Sequence, residues 1–249
     1  MLKLFDFVSK SLDFAVLTAW PPPTLYALAP AASSLPPSAP ATRTAAIDPV
    51  AAAAALRGLY MVTGGFFFTF AGYAAIENLL STFHASLGYY SSAMVYYAVP
   101  AGALAAPAFV SKLGPRLAMG CGALTYTAYA ASIFLMEFGI GKSGILMLPC
   151  GAGVGITCST LWTAMGVYSK QQSQAYDAAR GVDPSSNEGS LGYFNGFAYA
   201  GVQAGTLSAM LASSVVMQLL GPRRKLIFGG LFAVASLGNA VLFLLPGAN

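Results

Sequence analysis

The chain has 249 residues, of which 57% are hydrophobic and 8% charged, and its 12 Lys and Arg against 8 Asp and Glu leave a net charge of +4. A soluble domain carries about 25% charged residues, and a globule this size could not cover its surface with so few, so the composition is that of a membrane protein. The scattered basic residues form no stripe that tracks phosphates, which argues against nucleic-acid binding, and Cys121, Cys150 and Cys158 with the single histidine His84 make neither a disulfide framework nor a metal centre.

Residues 1–57 hold 8 of the 15 prolines, including Pro21-Pro22-Pro23 and Pro36-Pro37, in an Ala/Ser/Thr background without helical or strand periodicity. This stretch is expected to be a disordered Pro/Ala-rich tail ahead of a transmembrane domain over 58–249. Its first residues could instead form a weak amphipathic helix on a membrane surface. A targeting peptide is the other alternative, although Asp6, Asp13 and Asp48 are unusual for one.

From Gly58 onward, charges act as punctuation. A bilayer core of about 30 Å needs roughly 20 mostly apolar helical residues, and six such windows are predicted: 59–80, 89–110, 117–136, 145–168, a fifth starting near Gly192, and 226–245. Between the fourth and fifth, the polar stretch from Lys170 to Ser190 is expected to be a solvated loop. The spans are helices, because lipid leaves no partner for an open backbone and the long apolar runs lack barrel alternation. With the N-terminus inside, cytoplasmic segments carry eight Lys and Arg against four outside, although Arg223-Arg224-Lys225 on the outer side runs against the rule.

Association of such helices depends on close backbone approach at small residues. Gly151, Gly155 and Ser159 form one stripe at four-residue spacing and Gly201 with Gly205 a second. The run Gly151-Ala152-Gly153-Val154-Gly155 is not a dinucleotide fingerprint, since it lies within a span and not between a strand and a solvent-facing helix start. Pro100 and Pro107 are expected to kink the second span. A catalytic base beside a nucleophile is not evident, with His84 alone in a short outer turn, so no enzyme and no cofactor is expected.

Three stretches carry a resemblance. Glu77-Asn78-Leu79-Leu80-Ser81 closes the first span, Lys112-Leu113-Gly114-Pro115-Arg116 makes a tight basic turn, and the glycine run leads into Leu161-Trp162-Thr163-Ala164-Met165-Gly166-Val167-Tyr168. Together with Gly192-Tyr193-Phe194-Asn195-Gly196-Phe197 and Gln203, they resemble the uncoordinated-type ion-channel regulatory family, a branch of the major facilitator superfamily. The resemblance covers about 59–245 and implies an all-α membrane protein: a six-helix N-terminal half bundle with a cytoplasmic N-terminus. The turn resembles the Lys-x-Gly-x-Arg motif of major facilitator proteins, with Lys112, Gly114 and Arg116 in the motif positions. Independently of that likeness, glycine permits the reversal and arginine can anchor to a carboxylate or phosphate.

Polar residues at depth are the remaining signal, since uncompensated ones are costly in lipid. Gln203 falls about 16 Å into span five, Asn239 is nearly as deep in span six, and Glu77, the one carboxylate within a span, lies about 5 Å from the outer end of span one. Gln203 and Asn239 are candidates for a central polar site or an interhelical hydrogen bond. Glu77 with Asn78 is a candidate for proton coupling or headgroup contact, and Trp162, about 9 Å from the inner end of its span, for packing or cavity lining. Two functions follow. One is a non-catalytic regulatory or trafficking subunit whose partners are the lipid bilayer and the helices of a channel or receptor. The other is a secondary transporter for a small solute, either as half of a twelve-helix protein or as a dimer with a second copy.

Overall fold

A computed structural model describes residues 48–140, 146–182, 189–220 and 223–247. The expected tail up to residue 47, together with Lys142, Asp183 and Glu188, lies outside them. The described residues form helices α1 (Pro49–Phe83), α2 (Ala85–Glu137), α3 (Met147–Ala179), α4 (Leu191–Leu220) and α5 (Arg224–Phe243). All five are long and apolar enough to cross a membrane, and the chain is an integral membrane protein.

Helix α1 starts earlier than the hydropathy window. The Asp48 carboxylate accepts from the backbone N–H groups of Val50 and Ala51 at 3.0 and 3.1 Å. With Pro49 in the first turn, that cap lets the alanine run through 51–55 go helical instead of belonging to the tail. At the other end a single residue, His84 (φ −139°, ψ 62°), separates α1 from α2.

Helix α2 is one run of 53 residues where two spans are expected, and it is interrupted at Gly114 (φ 76°, ψ 157°). As a straight helix it would place Ser91 and Tyr129 about 57 Å apart, yet their hydroxyls hydrogen-bond at 2.7 Å. The run therefore doubles back on itself. Gly114 supplies the positive φ, and Pro115 begins the returning helix where its missing N–H costs nothing.

Helix α3 also outruns its window, because the polar residues after Tyr168 remain helical to Ala179. The expected loop is thus a helical extension over much of its length: Gln172 and Ser173 are buried, Tyr176 packs on Phe194, and the Asp177 carboxylate accepts from the Ser190 N–H at 3.0 Å. Helices α2 and α3 end alike, with the N–H groups of Gly139 and Ile140 bonded to Met136 and Leu135, and those of Gly181 and Val182 bonded to Ala178 and Asp177. These are Schellman closures, each with a glycine at positive φ.

Helix α1 packs against the other four helices, while the two limbs of α2 clasp α3. The bonds sort the helix ends into two sets. One set gathers Asp48, whose N–H bonds Ala179, with the Gly114 turn, the end of α3 and the end of α5. In it the Arg116 guanidinium donates to the Phe243 carbonyl at 3.1 Å, and the Tyr168 hydroxyl donates to the Pro246 carbonyl at 3.2 Å. In the other set, His84 meets Glu137 at 3.0 Å, Arg224 lies over the Phe83 ring and Lys225 over the Phe138 ring. His84 is therefore paired, not alone as its sequence position suggests.

Candidate functional site

The small-residue stripes face their neighbours in register. A methyl group on Gly151 would meet the Ser91 carbonyl at 3.3 Å, one on Gly155 would run into the Val95 carbonyl, and the Ser159 hydroxyl donates to the Val99 carbonyl at 3.3 Å. So 151/155/159 on α3 lie against 91/95/99 on α2, with the backbones in contact. On α4, Gly201 abuts Thr63 and Gly205 abuts Phe67.

That second contact decides where Gln203 points. At about 100° per residue, a position midway between two glycines four apart is on the opposite face of the helix, and Gln203 is exposed. Asn239 goes the other way: it is buried beside Gly238, which abuts Thr69 of α1, and its Oδ1 atom has no hydrogen-bond partner. Gln203 and Asn239 thus do not share a polar site with each other. Nor does Glu77 join them, since Thr69 is about 12 Å back along α1 from it.

The structure gathers a different set around Glu77. Its carboxylate accepts from the Ser92 hydroxyl at 3.4 Å, and one turn back on α1 the Tyr73 ring packs on those of Tyr126 and Tyr129, with centroids 5.0 and 5.9 Å away. Tyr129 bonds Ser91, which closes the cluster across both limbs of α2. Trp162 continues the aromatic wall: it stacks on Tyr199 at 5.4 Å and leans on Phe66 and Phe70 at 5.8 and 5.5 Å, so it ties α3 to α4 and α1. Because α3 continues to Ala179, Trp162 sits about 26 Å from the end of its helix. Asn78 is half-buried, and its backbone carbonyl accepts from Ser81 and Thr82.

Among the described residues no basic side chain pairs with Glu77, whose hydrogen-bond partner is the Ser92 hydroxyl. A carboxylate held this way between aromatic rings can take a proton or a small cation. Sequence reasoning missed the tyrosines, although the spacing was available: Tyr73 and Glu77 are four apart on one helix face and Tyr126 and Tyr129 three apart. No group of three His, Cys, Asp or Glu side chains that could hold a metal ion occurs among the described residues.

In the basic turn, Arg116 caps the carbonyl end of α5 instead of anchoring to a carboxylate, which places a cation at a helix C-terminus where the dipole favours it. Lys112 is exposed beside it.

A family model described as "Ion channel regulatory protein UNC-93" matches residues 81–249, more than half of the chain. The chain is also similar to "UNC93-like protein 3" of Arabidopsis thaliana, at 25% identity over 141 residues, which are 56% of this chain and 28% of the relative. It thus spans less than a third of that relative's length. No solved structure matches.

Proposed function

The chain belongs to the UNC-93 family of ion-channel regulatory proteins, and from that membership we propose that it is a non-catalytic, multi-pass membrane subunit that regulates or escorts a channel or receptor by helix-to-helix contact. In this reading α2 contributes two crossings, one on each side of Gly114, and the six crossings form a major-facilitator-type N-terminal half bundle with a cytoplasmic N-terminus.

One observation carries the partner contact. Tyr97, 84% exposed in the first limb of α2, and Gln203, exposed in the middle of α4, turn polar groups outward at membrane depth. Lipid offers neither a hydrogen-bond partner, and a second protein does. A photoreactive residue at position 97 or 203 of the full chain in membranes is expected to crosslink to another membrane protein, and Gln203→Leu to reduce recovery of that complex. Crosslinks to lipid alone from both positions would remove the proposal.

The Glu77 cluster favours a second reading, transport of a small solute by a complete or dimeric transporter, because a carboxylate bound by a hydroxyl and without a basic partner is suited to proton coupling. Uptake into proteoliposomes that follows an imposed proton gradient and is lost in Glu77→Gln would support it. Gradient-independent behaviour of both proteins would exclude it.

A further inference from the structure

Beside the Gly114 reversal lies a cleft of about 530 Å³, walled by Leu113, Pro115, Arg116, Leu117, Tyr168 and Gln171. Its position fixes its surroundings: a turn joining two apolar helices long enough to span a bilayer sits at headgroup depth, where hydrocarbon gives way to water. We propose that this cleft seats the phosphate-ester headgroup of an anionic phospholipid.

The chemistry is that of the walls. Arg116 spends one N–H on the Phe243 carbonyl, which fixes the guanidinium while leaving further donors of its planar fork for a phosphate oxygen. No carboxylate lines the cleft to neutralise it. Gln171 and the Tyr168 hydroxyl add neutral polar groups. Two more cations, Lys112 and Lys170, are exposed next in sequence to the lining residues Leu113 and Gln171. The apolar side matches the other part of a lipid, since Leu113 and Leu117 remain 40% and 49% exposed on the lips of the cleft, where a glycerol backbone and the first methylenes would lie. A soluble phosphate has no use for those leucines, which is why a lipid is favoured over a free anion.

The test uses the full chain in mild detergent, titrated with phosphatidylglycerol or phosphatidylcholine and followed by native mass spectrometry. The anionic lipid is expected to be retained about fivefold better, the contribution of one basic side chain at a charged membrane surface, and Arg116→Gln to remove that margin. Because Arg116 also caps α5, a second variant keeps the test independent of folding: Leu113→Glu places a carboxylate on the exposed lip and should repel the headgroup equally, whereas Leu113→Gln should not. Equal retention of the two lipids, or unchanged retention in Leu113→Glu, would overturn the proposal. Displacement of the lipid by millimolar inorganic phosphate would overturn the choice of a lipid in favour of a soluble phosphate.

Discussion

Gly155 and Gly153 lie two residues apart in the same glycine run and make opposite predictions. A methyl group on Gly155 would strike the Val95 backbone carbonyl and come within 2.8 Å of the Ala98 Cβ, whereas one on Gly153 would meet nothing within 4 Å. Backbone cannot rotate away as a side chain can, so Gly155→Ala must part α3 from the first limb of α2, stretching the Ser159–Val99 bond one turn along. Overpacking of this kind costs about 1–3 kcal/mol. For a chain of this size that corresponds to a fall of about 2–12 °C in Tm. Gly153→Ala removes a flexible residue without a collision and should leave Tm unchanged or raise it slightly, by up to about 1 kcal/mol of helix propensity. The assay is thermal unfolding in one detergent, read by the monodisperse fraction on size exclusion after heating. Equal Tm values for the two variants would refute the claim that the 151/155/159 stripe is in backbone contact.

Three further substitutions probe other contacts. Asn239→Leu replaces a buried amide whose Oδ1 lacks a partner with a side chain of similar size, and is expected to be neutral or stabilising by up to about 1 kcal/mol; a loss of stability would mean that the amide is bonded in the membrane. Tyr129→Phe deletes the 2.7 Å bond to Ser91, and the same melting assay should register a loss of about 1–2 kcal/mol, much of it from the buried serine hydroxyl left behind. Gln203→Leu, by contrast, should leave the Tm of the isolated chain within about 0.5 kcal/mol of the parent, since the side chain is exposed. A large destabilisation there would show that Gln203 is an internal packing residue.

What could be read from the sequence follows from which physical signal was strong. Hydropathy located the apolar windows, because exclusion of charge from lipid is severe and leaves long unbroken runs. It failed at their margins, where other forces set the ends: an aspartate cap drew α1 back to Pro49, and burial of Gln172 and Ser173 carried α3 on to Ala179. The turn at Gly114 could be anticipated because glycine before proline between two basic residues has few other uses. For the polar residues, depth alone was counted. Gln203 and Asn239 have similar depth but opposite azimuth, and azimuth was already encoded in the flanking glycines Gly201, Gly205 and Gly238. The tyrosines around Glu77 went unseen because an apolar-looking ring hides its hydroxyl from a hydropathy count. His84 and Glu137 are 53 positions apart, and no local pattern could have joined them.

The two bonds that close one set of helix ends reach across very different lengths of chain. Arg116 finds its acceptor 127 residues later, at Phe243, and Tyr168 finds its own 78 residues later, at Pro246. During synthesis the first four helices therefore leave the ribosome before either fastening exists. Helix α5 and the residues just after it then act as a latch that engages both. A chain cut short before Phe243 would leave the Arg116 guanidinium without its acceptor and this set of helix ends unfastened.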